Sequence, residues 1–364
     1  MKIISTAPIS GQNDYCRLFY ESISKHGMAF DDNFQLTGDW FSQRCREFDA
    51  LHFHWPEYLI RDVPAWTNRV PQIPGAWRVA SFLGWRSNLK LLRRLLADCR
   101  RAGKRLIWTA HNLIPHGNRA QRFALAAYRA IAESTDLVIC HDQAAADSVK
   151  ERYSPPGEIV VMPHGNYDGT FPPPGSVQET RQRWCVSMDD ALLVGVGTLR
   201  RYKGLEIVCQ AIDGLKASPT IIVAGNPSDT SYVEELRRLA SRNPRIRIEA
   251  RSLSNQEFAD LVTASDGVLL PYRSITGSGA LLAALTLRRG VIASDLPLFR
   301  NTVAREPQAG RLFAPNDVAA CRSALEDFLA IPRGQRAQAA RRLADGFAWN
   351  KVIQPVVDVL NCWK

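Results

Sequence analysis

The sequence lacks the patterns that mark several classes of protein. No two of its eight cysteines form a C-x-x-C pair and all are scattered, so neither a zinc site nor a disulfide framework is indicated. No apolar run approaches the roughly 20 residues that cross a bilayer. There is no Asp-x-Asp, so nothing in the sequence indicates a catalytic divalent metal. What remains is a globular chain without repeats or low-complexity stretches.

Acidic residues are outnumbered. The chain has 46 Lys and Arg against 36 Asp and Glu, a formal charge of +10, which favours an acidic partner such as a nucleotide, an anionic lipid or a nucleic acid. A nucleic acid is disfavoured because no motif of that kind is present and the aromatic residues do not form a stacking platform. Cysteines in apolar segments indicate a reducing compartment. Residues Met1 to Ser5 lead directly into a predicted strand and do not have the pattern of a signal peptide. We expect a cytoplasmic protein.

Strands and helices alternate along most of the chain, which predicts an α/β fold with parallel doubly wound sheets. The 364 residues are long for one core, and the proline-rich segment 171–176 is a predicted linker. We predict a Rossmann-like domain over 1–170, a second over 171–345 and a helical tail over 346–364. Ligands of such sheets bind beyond the carboxyl ends of strands, so residues that follow strands are the candidates for a site.

A basic loop, GTLRRYKG, runs from Gly197 to Gly204. It follows an apolar run typical of a buried strand and precedes a segment with helical apolar spacing. The amides and dipole at a helix start favour an anion, and Arg200 and Lys203 supply positive charge for a diphosphate. Further along the chain, Gly277-Ser278-Gly279 opens an apolar helix whose first amides are predicted to bind the same phosphates.

Other polar residues follow predicted strands in the second half of the chain. Asn226, Arg251 and Tyr272 are candidates for contacts to a base, a ribose or phosphates. His164 and Gly165 lie near the predicted linker, where a contact to the same ligand is expected.

Residues 76–105 combine tryptophans and leucines with nine basic side chains and a single acid, Asp98. A basic amphipathic helix of this kind can lie on an anionic membrane surface. The alternative is an ordinary domain helix with a solvated basic side. The positive net charge favours membrane contact.

These motifs together resemble the GT-B glycosyltransferases. The loop LRRYKG over 199–204 is similar to their diphosphate-binding Arg…Lys-Gly loop, and the segment 271–285 is similar to the one that packs on the donor's phosphates and ribose. More narrowly, HFHWPEYL over 52–59, HNLIPH over 111–116 and NDY over 13–15 resemble the xanthan-type bacterial exopolysaccharide β-mannosyltransferases, which use GDP-mannose and a glycolipid acceptor. The resemblance covers most of the chain.

The resemblance implies two Rossmann-like domains that face each other across a cleft. The first would bind the acceptor, the second the nucleotide sugar, and the C-terminal helix would cross back to the first. It implies transfer of mannose from GDP-mannose to a polyprenyl-diphosphate-linked or other lipid-linked glycan at the inner face of the plasma membrane, with no cofactor and no metal. The residues implied in donor binding are Arg200, Lys203, Gly204, Asn226, Tyr272, Ser278 and Gly279.

One departure from the family pattern bears on stereochemistry. Retaining GT-B enzymes of the large family-4 type carry a Glu-x7-Glu motif in the donor segment, and the two positions here hold Thr276 and Ala284. The missing second carboxylate favours the inverting group. Two alternatives stay open: a retaining family-4-like transferase that uses a UDP-sugar, and a nucleotide-sugar epimerase built on the same fold.

An inverting transfer needs a base near the acceptor oxygen. Glu57 is the first candidate because it follows a predicted strand and its aromatic neighbours favour a raised pKa. His54 and His111 titrate near neutrality and are alternatives, and the resemblance also implies that His111 binds hydroxyls of the donor hexose. Asp142, which follows another strand, is a fourth candidate. We expect at most one of His52 and His54 to face the site.

Overall fold

The computed structural model describes residues 1–9, 14–61, 76–113, 121–215, 219–275 and 277–364. The chain divides into two compact units: unit 1 is Met1–Gly165 with Trp349–Lys364, and unit 2 is Asn166–Ala348. The sequence placed its divisions a few residues away, at 170/171 and 345/346. Five of the predicted motif positions lie outside the described residues: Asn13, residues 114–116 and Thr276.

Unit 1 is built on a six-stranded parallel sheet with the order β2-β1-β3-β4-β5-β6. Its strands are β1 (Lys2–Ser5), β2 (Ala29–Asp31), β3 (Ala50–Phe53), β4 (Arg105–Thr109), β5 (Leu137–Cys140) and β6 (Glu158–Val161). The helices that connect them are α1 (Asp14–Ser24), α2 (Trp40–Arg44), α3 (Pro56–Arg61), α4 (Ala76–Arg101), α5 (Gln121–Ala132) and α6 (Gln143–Tyr153).

Unit 2 has a second six-stranded parallel sheet, with the order β12-β11-β10-β7-β8-β9. Its strands are β7 (Leu192–Val196), β8 (Thr220–Ala224), β9 (Ile246–Glu249), β10 (Gly267–Leu270), β11 (Val291–Ser294) and β12 (Gly310–Phe313). Its helices are α7 (Val177–Arg183), α8 (Leu205–Ala211), α9 (Thr230–Ala240), α10 (Asn255–Ala264), α11 (Gly279–Thr286), α12 (Pro297–Val303), α13 (Val318–Ala330) and α14 (Arg333–Gly346), with short 3-10 turns at Arg201–Lys203 and Pro307–Ala309.

The central strands show why the chain folds in this way. β5 (LVIC), β7 (LLVGV) and β8 (TIIVA) are buried at every position. Continuous apolar strands of this kind are covered by helices on both faces, as parallel sheets require. Both units therefore confirm the α/β class and the parallel sheets expected from the alternating pattern.

The end of the chain completes unit 1. The tail forms helices α15 (Trp349–Val352) and α16 (Gln354–Cys362). Ile353, between the two helices, and Val356 and Leu360 of α16 are completely buried. The spacing of these three residues, three and four positions, puts them on one helix face. At the start of this tail, the Trp349 ring lies 5.6 Å from the ring of Tyr15 on α1. The tail is therefore part of the unit 1 core.

Leu360→Ala tests the contribution of the tail. We expect the free energy of unfolding of unit 1 to fall by about 2–5 kcal/mol, because a completely buried leucine leaves a cavity. Urea denaturation followed by tryptophan fluorescence measures the change. The matched control Asn361→Ala, on the exposed side of α16, should stay within about 0.5 kcal/mol of the parent. Equal stability of the two variants would show that the tail adds nothing to the core.

Candidate active site

The strand order of unit 2 reverses at the neighbouring strands β7 and β10. Ligands of doubly wound sheets bind beyond the carboxyl ends of the strands at such a switch point. The predicted basic loop follows β7, and the predicted Gly-Ser-Gly segment follows β10. A backbone hydrogen bond joins the two loops, from Arg273 N to Tyr202 O at 2.8 Å. The fold thus brings together the two segments that the sequence assigned to phosphates.

Lys203 is the buried cation of this site. It is 7% exposed, its Nζ donates to the Val196 carbonyl at 3.3 Å, and Nζ lies 5.6 Å from the centre of the Tyr272 ring. Burial and then repulsion from Arg200 lower the pKa of Lys203 to about 8. The described residues thus offer the ammonium a carbonyl and an aromatic face rather than a carboxylate. A desolvated cation in this setting is stabilised by an incoming anion.

Arg200 lies on the exposed side of the same loop. Its Nε donates to Ser228 Oγ at 3.0 Å, and Leu199 N donates to the Asn226 carbonyl at 2.8 Å, so the loops after β7 and β8 are joined. The Asn226 side chain is exposed and donates to Ser252 Oγ at 3.2 Å. Sequence reasoning missed Ser228, although its place two residues after Asn226 at the end of β8 was an available signal.

Gly204 makes the close approach of the loops after β7 and β10 possible. Its φ is +60°, in the left-handed region, and a Cβ there would overlap the carbonyl oxygen of Pro271. No other residue permits this approach of two backbones without a shift. Gly197 has φ +105°, and a Cβ there would lie 2.8 Å from Lys203 Nζ. The two glycines of the predicted loop thus allow the turn and make room for the lysine.

The loop after β10 supplies a helix start. Ser278 caps α11 by accepting a hydrogen bond from Leu281 N at 3.1 Å, and Gly279 is the first helical residue. Tyr272 is 3% exposed and hydrogen-bonds Ser278, and its burial raises its pKa. A Cβ at Gly279 would come within 2.7 Å of Tyr167 Oη. The first amides of α11 are therefore at the end of the sheet that carries Lys203.

Two arginines near this end of the sheet are held by carboxylates. Arg251, a predicted contact, pairs with Glu249 at 2.9 Å and with Glu257 at 2.8 Å, which indicates a structural role. Arg273, which the sequence did not single out, pairs with the buried Glu206 at 2.6 Å. That pair links the loop after β10 to α8.

In unit 1, polar side chains form a hydrogen-bonded chain near the ends of β3 and β4. Tyr20 Oη on α1 lies 2.8 Å from His52 Nδ1 and 3.1 Å from His54 Nε2. His52 Nε2 lies 2.8 Å from Thr109 Oγ1, and His54 Nδ1 lies 3.0 Å from His111 Nε2. His52 and His54 lie on the same side because residues i and i+2 of an extended segment share a face. Which of the two faces a ligand stays a prediction.

A cluster of aromatic rings surrounds the end of this chain. The Tyr15 ring lies 4.7, 5.3 and 4.8 Å from the rings of His111, His141 and His164, and Trp55 stacks on His111 at 4.3 Å. These histidines follow β4, β5 and β6 within three residues. Tyr15 and His141 were missed by sequence reasoning, and this repeated placement after successive strands was the signal that would have found His141.

The five histidines are held neutral. Burial, the largest cause, lowers the pKa of His54 and of His164 to about 3, and neighbouring histidines lower both further. Burial also lowers the pKa of His141, and it takes the pKa of His52 and His111 well below the usual value. Neutral imidazoles each have one donor and one acceptor nitrogen. The cluster is therefore suited to hydrogen-bonding polar groups such as sugar hydroxyls.

The two candidate carboxylates lie apart from this chain of hydrogen bonds. Glu57, on α3, is 3% exposed, and its Oε2 accepts a hydrogen bond from Tyr128 Oη on α5 at 2.6 Å. Asp142 caps α6 by accepting a hydrogen bond from Ala145 N at 2.6 Å. The structure therefore gives Asp142 a structural task, and it places Glu57 where α3 packs on α5.

The part of the chain that the structure describes has neither a metal-binding cluster nor a membrane-spanning helix. No three His, Cys, Asp or Glu side chains there are arranged to hold a metal ion. None of the helices in that part of the chain is both long and apolar enough to span a bilayer.

Solved structures share this fold. Sucrose-phosphate synthase from Thermosynechococcus elongatus superposes with a TM-score of 0.70 at 16% identity, covering 99% of this chain and 98% of that one. Anabaena HepE in complex with UDP-glucose superposes with a TM-score of 0.69 at 14% identity, covering 99% of both chains. At these sequence identities, both similarities are similarities of fold.

Family models match both units. Residues 190–330 match the model described as "Glycosyl transferases group 1", and residues 81–166 match "Glycosyltransferase Family 4". This chain is a glycosyltransferase of the GT-B type. Among curated relatives, the glycosyltransferase is 26% identical over 304 residues to the GDP-mannose:glycolipid 4-beta-D-mannosyltransferase of Xanthomonas campestris pv. campestris, covering 81% of this chain and 76% of that protein.

The neutral histidines make the stability of the glycosyltransferase depend on pH. His54 and His164 have pKa values of about 3 when folded, against 6.5 for an ordinary histidine. Between these values the unfolded chain binds more protons, so the free energy of unfolding of unit 1 falls as the pH drops below about 6.5. Each of the two histidines alone should cost about 1.4 kcal/mol at pH 5.5. Urea unfolding at pH 7.5 and 5.5 measures the loss.

His54→Gln should reduce the difference between the two pH values, because one of the contributing histidines is removed. His26→Gln, at an exposed position of unit 1, is the matched control and should leave the difference unchanged. An undiminished difference in His54→Gln would contradict a neutral, buried His54.

Proposed function

We propose that this glycosyltransferase moves mannose from GDP-mannose, with inversion, onto a lipid-linked glycan in exopolysaccharide or glycolipid synthesis. The observation that carries the donor site is Lys203, a buried cation beside Arg200 at the switch point of unit 2. The choice of sugar is supported by the 26% identity to a GDP-mannose:glycolipid 4-beta-D-mannosyltransferase. A second relative, 24% identical over 245 residues, is an O-antigen chain mannosyltransferase of Escherichia coli.

In this proposal the donor diphosphate binds at the ends of β7 and β10. Negative charge builds on the leaving diphosphate as the bond from sugar C1 to oxygen breaks. Lys203 and Arg200 stabilise that charge, and the amides of Gly279 and Ala280 at the start of α11 donate to the same oxygens. Asn226 and Tyr272 lie in the adjoining loops and contact the rest of the nucleotide. Removing one such charged contact costs on the order of 3 kcal/mol of transition-state stabilisation.

In unit 1 we assign sugar-hydroxyl binding to His111 and the base to Glu57. A neutral His111 can donate to or accept from a hydroxyl, but its lowered pKa makes it a weak proton acceptor. Glu57 presents a carboxylate whose Oε2 accepts a hydrogen bond from Tyr128, and in this proposal its other oxygen, Oε1, takes the proton of the acceptor hydroxyl. Both ring nitrogens of His54 are engaged by Tyr20 and His111, so His54 positions His111.

A UDP-sugar is the second candidate donor. HepE, which shares the fold, has been solved with UDP-glucose, and a D-inositol 3-phosphate glycosyltransferase of Xylanimonas cellulosilytica is 28% identical over 241 residues. Under this alternative the same Lys203 site binds the diphosphate, and the transfer retains the anomeric configuration. Analysis of the product anomer separates the two.

Membrane association at the cytoplasmic face is the third part of the proposal. The exposed face of α4 begins with Val79 and Leu83, which are 60% and 48% exposed, and continues with the exposed cations Arg86, Lys90, Arg93, Arg94 and Arg101. Exposed apolar side chains followed by a basic stripe suit insertion between anionic headgroups. This supports a lipid-linked acceptor.

Thermal-shift titration with GDP and UDP, with and without their sugars, tests the donor. GDP at a hundredfold excess over its Kd should stabilise the native protein by roughly 2.7 kcal/mol, and UDP should have little effect. GDP affinity should also fall above pH 8, because free Lys203, with a pKa of about 8, loses its proton there. Lys203→Met should lose most of the GDP shift and its pH dependence.

The matched control is Arg238→Met, an exposed cation on α9, which should bind GDP like the parent. Stabilisation by UDP alone would overturn the GDP-mannose assignment while keeping the Lys203 site. Undiminished GDP binding by Lys203→Met would overturn the site itself.

Sedimentation with vesicles tests the membrane contact. The parent should bind vesicles of phosphatidylcholine with phosphatidylglycerol, and Val79→Ser/Leu83→Ser should weaken binding by at least about tenfold, because two exposed apolar side chains no longer insert. Met188→Ser, which removes a side chain that is 46% exposed in unit 2, is the control and should bind normally. Equal binding by all three proteins would exclude α4 as the contact.

A further inference from the structure

Unit 2 has a second group of cationic side chains. It lies at the amino ends of the strands, opposite the end of the sheet that carries Lys203. Asp266 directly precedes β10, at the amino end of that strand. Four arginines from three different segments converge on it: Arg181 of α7, Arg289 after α11, and Arg333 and Arg336 of α14. Neither the donor site nor the histidine cluster uses these residues.

The Asp266 carboxylate is already fully engaged. Arg181 Nη2 reaches Oδ2 at 3.1 Å, Arg333 Nε reaches Oδ1 at 2.6 Å, and Arg336 Nη2 lies 3.7 Å from Oδ1. Leu192 N donates to Oδ2 at 2.8 Å. One buried negative charge therefore faces four guanidinium groups, and positive charge is in excess.

The four guanidinium groups differ in how well they are satisfied. Arg181 donates to three backbone carbonyls besides Asp266. Arg336 is 3% exposed and lies 4.6 Å from the centre of the Phe328 ring, and within the described ranges its Nε and Nη1 have no hydrogen-bond partner. Arg289 Nε likewise has none there. Buried guanidinium donors without acceptors are costly and rare.

The excess positive charge also affects the pKa values of the buried arginines. Burial, followed by repulsion among the arginines, lowers the pKa of Arg289 to about 10, against the partial compensation of Asp266. The pKa of Arg336 is lowered for the same reasons. An anion beside these two guanidinium groups would raise both pKa values.

A cavity of about 390 Å³ adjoins the cluster. Asp266, Arg333 and Arg336 line it together with Asp189 and the apolar segment 329–332. The lining itself carries two positive charges, Arg333 and Arg336, and two negative ones, Asp266 and Asp189. The positive excess comes from Arg181 and Arg289, which interact with Asp266 outside the lining. The cavity also lies at the first turn of α14, where the helix dipole favours negative charge.

We propose that this cavity binds a small oxyanion of the phosphate class, inorganic phosphate or a small phosphomonoester, held by Arg333 and Arg336. The guanidinium fork matches the spacing of phosphate oxygens. The bound anion offsets the excess charge and ties α14 to the amino ends of β7 and β10. This site is separate from the donor site and does not depend on which sugar the enzyme transfers.

Inorganic phosphate is the probe, titrated against chloride at constant ionic strength with melting temperature as the readout. The experiment uses Lys203→Met as its background, so that phosphate binding at the donor site does not contribute. At tenfold the dissociation constant we expect a rise of roughly 3–6 °C. Arg336→Met in this background keeps the packing on Phe328 and should abolish the rise.

Arg342→Met, on the exposed side of α14 where Arg342 pairs with Glu306, is the matched control and should keep the rise. If Arg336→Met fails to fold, Arg333→Gln replaces it, because the Arg333 side chain is 56% exposed, and it should weaken phosphate binding at least tenfold. No phosphate-dependent rise in the Lys203→Met background, or an undiminished rise in the arginine variants, would overturn the proposal.

Discussion

The close approach of the loops after β7 and β10 is the constraint on which the proposed donor site depends. It requires that position 204 carry no side chain, since the Pro271 carbonyl occupies that space. The same approach places the Lys203 ammonium beside the Tyr272 ring and the end of β7. The ammonium loses water without gaining a carboxylate, which costs free energy in the free protein. In the proposed donor site a bound diphosphate would recover that free energy, and the loop geometry would itself be a source of affinity.

In unit 1 the constraint is the orientation of neutral imidazole rings by hydrogen bonds. Each neutral imidazole donates from one nitrogen and accepts at the other, so the direction of the hydrogen bond between Tyr20 and His54 sets the direction of the one between His54 and His111. Tyr20 and His54 transmit this order from the core to a half-buried ring. The tautomer of His111 is defined in this way, which in the proposed function helps it to distinguish hydroxyl groups.

Much of the fold was predictable because it follows from local patterns. Buried apolar strands alternating with helices specify parallel sheets, and a glycine-flanked basic loop after such a strand indicates an anion site whatever its distant neighbours are. The parallel sheets and the GT-B type of the chain were confirmed in this way. The predicted roles of individual residues stay predictions.

Long-range partners were not predictable from the sequence. Tyr20 and His52 are 32 residues apart, and Glu57 and Tyr128 are 71 residues apart, so no local pattern reveals that one holds the other. Arg251 was a candidate because it follows a predicted strand, yet it pairs with two carboxylates. The outcome for such a side chain is decided by tertiary neighbours that share no motif with it.

The chain order of the two units has a consequence for biosynthesis. Unit 2 is one continuous segment, whereas unit 1 is closed by the sixteen residues Trp349–Lys364, which follow unit 2 in the chain. Because a protein emerges from the ribosome with its N-terminus first, unit 2 can complete its core while unit 1, begun earlier, still lacks α15 and α16. Termination of synthesis just before Trp349 would therefore leave unit 2 with its whole segment and the histidine-bearing unit without its closing helices.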